Sequence, residues 1–189
     1  MPTVRDFAAW CATMPLALLL GWGLAAPAAR AQGAAAPVSE QQLKAAFVFN
    51  FAVFAEWPAE ALPAASPLVL CAYHGNALMA ALQELRDKSV NGHRLEVRAL
   101  AAGAAPRACH LLVLDRQDRD AWPQLHHDLA AGGASVLTVA NDRQIARAGA
   151  MLALSMEDQR VVFEADLGAL RAARMVLSSK LLRLARSVQ

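Results

Sequence analysis

Apolar and polar positions along this chain change period several times, and each change marks an element. From Ser39 to Pro58 the apolar residues recur at helical spacing, with Leu43, Phe47, Phe51 and Phe54 in register and Phe49 and Val53 widening the face. Ser39 and Gln42 have the spacing of a capping box, and Pro58 marks the stop because the residue before proline is pushed away from helical angles. Residues 68–73 form a short apolar run between Pro67 and Gly75, the pattern of a buried strand. Leu78, Ala81, Leu82 and Leu85 then give an amphipathic helix over 76–86, and Asn91-Gly92 turns the chain into a strand at 95–100. A strand at 109–114, a helix at 120–131 around Trp122, Leu125 and Leu129, a strand at 135–139 and a short helix through 145–148 follow. Gly132-Gly133 ends the longer helix, and Asn141-Asp142 caps the shorter one.

The last third reads differently. Apolar runs at 151–156 and 161–164 flank the polar tetrad Glu157-Asp158-Gln159-Arg160, which predicts a hairpin. Leu170, Leu177, Leu181, Leu184 and Val188 predict one face of a C-terminal helix. Strands alternating with helices give an α/β fold: a mostly parallel sheet flanked by helices on both faces, with a C-terminal hairpin and helix. No internal repeat is visible.

The first residues change the compartment. Arg5 precedes an apolar run through Leu16, Leu18, Leu19, Leu20 and Leu24, and Ala29-Arg30-Ala31 has the small-x-small form that a signal peptidase accepts. The expected organisation is a signal peptide over 1–31, a flexible leader over 32–38 and one α/β domain over 39–189. The competing reading is an uncleaved anchor, since the run approaches the ~20 residues that cross a bilayer. Export would remove Cys11 and leave Cys71 and Cys109, an even number in an oxidising compartment, which predicts one disulfide. The alternative is two separate buried thiols acting as small apolar side chains.

Composition and motifs narrow the chemistry. The 189 residues are 57% hydrophobic and 18% charged, with a formal net charge of +2 and no basic run, so nothing points to nucleic acid. The run Leu112-Val113-Leu114-Asp115 ends as a phosphoacceptor strand would, but Tyr73-His74-Gly75 closes the earlier strand without the carboxylates that would hold magnesium. Asp115 therefore reads as a solvated strand end or a cap. His126 and His127 are adjacent, the wrong spacing for an i, i+4 metal pair, and His74, His93 and His110 read as surface imidazoles. Ser178-Ser179-Lys180 lacks the S-x-x-K spacing, and no nucleophile elbow, Walker loop or dinucleotide fingerprint occurs. No catalytic residue, metal ligand or cofactor site is assigned. Trp57 beside Pro58 either closes the core or anchors a partner.

The segment 45–58, ending Glu56-Trp57-Pro58, resembles the opening helix of the YfiR family. Leu70-Cys71, Cys109-His110-Leu111-Leu112, Val136-Leu137-Thr138-Val139, Gly149 with Met151, Val162-Phe163-Glu164-Ala165 and the 178–185 segment match it in order, across roughly residues 40–188. There are departures. Ala150 stands where relatives often carry a second glycine, Arg174 where a small residue is common, and a second cysteine pair is absent. The resemblance implies a periplasmic, non-enzymatic repressor of an inner-membrane diguanylate cyclase, lowering cyclic-di-GMP and biofilm formation. Its implied partners are the cyclase's periplasmic domain and an outer-membrane lipoprotein. Leu181, Leu182 and Leu184 leave room for a homodimer. The alternative is a periplasmic small-molecule sensor or binding module serving another membrane signalling protein.

Intact-mass measurement of the exported protein is expected to show the loss of about 31 residues. A chain retaining Met1 in the membrane fraction would contradict the cleavage.

Overall fold

A computed structural model describes residues 38–189; the expected signal segment and the site after Ala31 lie outside the described residues. Helix α1 (Glu40–Phe54) starts as its sequence predicts. The Ser39 hydroxyl accepts from the Gln42 N–H at 3.2 Å, and the Gln42 side chain accepts from the Ser39 N–H at 3.0 Å. Its deepest face is Ala45, Val48, Phe51 and Ala52, one step round from the expected phenylalanine stripe, so Phe47 and Phe54 are half-buried and Leu43 is exposed. Phe51 packs edge-on to Phe163 with ring centres 5.0 Å apart.

The chain leaves α1 through β1 (Ala55–Glu56) and then builds β2 (Leu68–Tyr73), β3 (Ser89–Val90), β4 (His93–Leu100), β5 (Leu111–Leu114) and β6 (Leu137–Ala140). A hairpin of β7 (Leu152–Glu157) and β8 (Arg160–Ala165) follows, then β9 (Val176–Leu177) and β10 (Ser187–Val188). The main sheet runs β3-β4-β2-β5-β6-β7-β8-β10. Strands β4, β2, β5, β6 and β7 are mutually parallel, whereas β8 is antiparallel to β7, and β3 to β4. That central order is doubly wound: the chain moves outward from β2 in one direction, then reverses, placing a switch point between β2 and β5. Strands buried on both faces need continuous apolar runs, which is why Leu68–Tyr73 shows no alternation.

The two faces carry separate cores. Leu68, Leu70 and Ala72 join the first-face core with α1, α2 (Met79–Gln83), α5 (Leu167–Ala172) and α6 (Ser179–Leu182). Val69, Cys71 and Tyr73 join the second-face core under α3 (Trp122–Ala131) and α4 (Arg143–Arg147). Where β4 crosses over to β5, however, residues 101–110 form only turns. A disulfide between Cys71 and Cys109, Cα atoms 5.9 Å apart, ties this crossover to the second face of β2. The Tyr73 hydroxyl, donating to the Ala104 carbonyl at 2.9 Å, holds its other end.

The C-terminal helix expected from the leucine spacing is not continuous. Arg174 adopts a left-handed φ of +56°, which an α-helix cannot propagate, and Val176 then pairs with Glu56 across β9 and β1. Ser178 caps a fresh turn as α6 by accepting from the Lys180 N–H. Leu170, Leu177 and Leu181 do reach the core, but from three different elements, while Leu184 is 73% exposed. Arg186 closes the chain by pairing with Glu157 and Glu164 of the hairpin, and its N–H donates to the Phe163 carbonyl at 2.8 Å.

The bridge closes a sequence separation of 38 residues, which constrains the unfolded chain by about 4 kcal/mol in the loop-entropy account. Cys71→Ser is expected to lower stability by roughly 2–5 kcal/mol, read by chemical denaturation. The unreduced, unfolded wild-type protein should show no titratable thiol at Cys71 or Cys109.

Candidate functional site

In doubly wound sheets ligands bind outside the carboxyl ends of the strands at the switch point, here between Tyr73 and Leu114. The polar groups at that edge are occupied with each other. Asn76, buried, donates from its amide to the Val113 carbonyl at 3.2 Å and accepts from the Leu78 N–H at 2.9 Å. Asp115 accepts from the Ala77 N–H at 2.6 Å and from the Gln117 N–H at 3.1 Å, stitching the loop after β2 to the loop after β5. Of the two readings of Asp115, a solvated strand end or a cap, the structure shows the cap: it caps the 3-10 turn Arg116–Asp118 and is buried. Both of its oxygens accept from backbone N–H groups, which satisfies the buried carboxylate.

Asp118 returns the favour by accepting from the Asp115 N–H at 2.9 Å. Burial pushes its carboxyl above the usual range; that N–H opposes the shift and the Asp115 charge adds to it. Farther along the edge, Arg119 forks onto Asp142, which caps α4, and holds its carboxyl below the usual range. Lys44 of α1, buried, donates to Asn141 at 2.7 Å and pairs with Glu40 at 2.6 Å. The arrangement rigidifies the strand ends. It brings together no nucleophile with a base, and among the described residues no three His, Cys, Asp or Glu side chains gather closely enough to hold a metal ion.

The open space lies beside this edge on the second face. A crevice of about 920 Å³ runs between the helix-less crossover and α3, lined by Tyr73, His74, Arg107, Asp118, Leu125 and Leu129 among others. Its walls mix small residues of the crossover with apolar and polar side chains of α3, and Tyr73 and Asp118 are buried polar groups in the lining. Burial raises the Tyr73 phenol above its ordinary value, and the Asp118 charge adds to it. A space of this size falls in the range of small-molecule sites. Sequence reasoning did not find it, because no periodicity signals that a crossover lacks its helix.

Of the residues singled out from the sequence, Cys71 and Cys109 are brought together as the disulfide. Trp57 is half-buried against the first-face core, and its indole N–H donates to the His110 carbonyl at 3.0 Å. His110 is not a surface imidazole. Its Nδ1 accepts from the Val69 N–H at 2.9 Å and its Nε2 lies 3.0 Å from the Ala61 carbonyl, so the ring is a neutral tautomer donating from Nε2. Burial lowers its pKa most, and the nearby His93 and Arg98 lower it further, against the Ala61 carbonyl. His93 is likewise half-buried, with Nδ1 2.8 Å from the Ser66 carbonyl. Together these bonds fasten the 57–67 loop across the start of β2 and β5.

A family model described as YfiR/HmsC-like matches residues 41–186, from the first turn of α1 to the Arg186 clasp. No curated protein matches the chain.

The His110 geometry fixes a pH dependence and its sign. The fold favours neutral His110, so as pH falls the unfolded chain takes up the proton first. Its contribution to stability is expected to be complete above about pH 6.5 and to be lost as pH drops through that value towards the lower pKa of the folded state. Denaturation midpoints at about pH 7.5 and about pH 5 check this. His110→Gln should be less stable at both and flatten the difference; an unchanged slope would contradict the assignment.

Proposed function

The chain belongs to the YfiR/HmsC-like family, and from that premise we propose that it is an exported, non-catalytic regulator that represses an inner-membrane diguanylate cyclase. The observation that carries this reading is the family match over nearly the whole described domain, residues 41–186. Two features support it. The disulfide suits an oxidising compartment such as the periplasm. The strand-end polar groups hold one another in a structural network rather than facing a reacting atom.

Regulation by binding works through linkage. A periplasmic protein changes synthesis on the other side of the membrane only by binding one arrangement of the transmembrane cyclase more tightly than the other. Each ~1.4 kcal/mol of that difference shifts the active-to-inactive ratio about tenfold. An outer-membrane lipoprotein that sequesters the repressor would release the cyclase. We place the partner contact at the exposed part of Trp57 and the neighbouring Val176, which pairs with Glu56 and is exposed. The alternative, a small-molecule sensor for another membrane signalling protein, draws on the 920 Å³ crevice.

Deleting the gene is expected to raise cyclic-di-GMP and matrix production, and deleting the cyclase as well should abolish the rise. An unchanged level in the single deletion, with both proteins expressed, would remove the repressor reading. Val176→Lys, which leaves the core intact, should reproduce the deletion with a folded protein. Full repression by that variant would remove the proposed contact alone.

A further inference from the structure

A second concavity, of about 570 Å³, opens at the opposite end of the sheet, where β2, β5 and β6 begin. It shares Arg107 and Ala134 with the larger crevice. Three arginines from separate elements line it: Arg98 of β4, Arg107 of the crossover and Arg174 after α5. Glu60 is the one carboxylate in the lining. Arg98 and Glu96 alternate with Leu95 and Val97, which belong to the first-face core, so both lie on the second face, paired at 2.7 Å. Arg107 has no ion-pair partner among the described residues.

Two observations set this apart from an ordinary basic surface. Ser135, 7% exposed, lines the same pocket, and its buried hydroxyl has no hydrogen-bond partner among the described residues. Buried hydroxyls are rarely left so, because desolvation without a bond is costly, and an orphan asks what its partner is. Arg174 is the second. Its φ of +56° is a conformation that disfavours side chains with a Cβ, and its guanidinium reaches back to Glu60 at 2.6 Å. A strained, non-glycine residue persists where something other than the backbone selects it.

From these we infer that this pocket binds a small organic anion, a carboxylate or phosphate ester, with Arg107 and Arg174 gripping its oxyanion and Ser135 donating to it. Guanidinium groups offer paired donors matched to carboxylate and phosphate oxygens, and a serine hydroxyl can add another. The volume falls in the range of small-molecule sites, so the ligand carries a body beyond the anionic group, extending past Arg107 towards the larger crevice. The inference does not depend on the partner being a cyclase.

The test uses the protein as processed and purified from cells, with thermal unfolding followed while glycerol 3-phosphate or succinate is titrated against sodium chloride of equal ionic strength. A saturable rise in midpoint beyond chloride is expected with at least one probe, because a ligand that binds only the native state stabilises it. Which probe acts assigns phosphate ester or carboxylate. Arg107→Gln and Arg174→Gly should each weaken the apparent Kd roughly tenfold or more, the usual effect of losing a charge-assisted hydrogen bond. Arg174→Gly relieves the backbone, so without ligand its midpoint should be unchanged or higher, which separates lost binding from lost folding. Arg143→Gln, on exposed α4, should keep the full response. No saturable rise with either probe, or a rise retained in both pocket variants, overturns the site.

Discussion

The crossover from β4 to β5 has to span the second face of the sheet without a helix, and the Cys71–Cys109 bridge is what makes that possible. A turn-only segment of ten residues buries little apolar area, so packing alone gives it a weak hold on the sheet. Anchored through Cys109 at one end and the Tyr73–Ala104 bond at the other, it stays pinned over β2. Everything open on this face follows from that economy of covering. The larger crevice lies between the crossover and α3, the arginine-lined pocket lies at its far end, and Arg107 stands between them.

The two ends of the sheet have been put to different uses. At the carboxyl ends, where doubly wound folds ordinarily receive ligands, Asn76, Asp115 and Asp118 hold the loops by reciprocal bonds. At the amino ends His110 and Trp57 fasten the loop above, and three arginines face one carboxylate in the pocket lining. The locked carboxyl ends give the domain one fixed surface. The amino ends are where a ligand could still enter.

Much of the fold was legible because short-range patterns decide it. The Ser39–Gln42 cap, the apolar run of β2 and the polar tetrad of the β7–β8 hairpin each dictate local geometry, and each appears. The C-terminal helix was illegible for a physical reason: leucine spacing records burial, and three short elements can bury leucines at the same intervals as one helix. What broke it was the left-handed Arg174 and the pairing of Val176, neither visible in a periodicity. The anchoring of Asp115 and His110 is illegible in the sequence because their backbone partners come from segments distant along the chain, and polar residues are usually solvated. The arginine pocket is assembled in the same way, from five stretches that only the topology unites.

The Arg186 clasp also bears on how the protein coexists with its own kind. Beyond β8 lies an otherwise open edge, the sort of exposed ladder that recruits strands from other chains. A two-residue β10 covers part of it, and Arg186 sets a positive charge there, neutralised by Glu157 and Glu164. An incoming strand would have to displace both the short strand and the ion pairs, and would meet a side chain poorly suited to a fibril's dry interior. The hairpin edge that the doubly wound core leaves open is thereby guarded against templating aggregation.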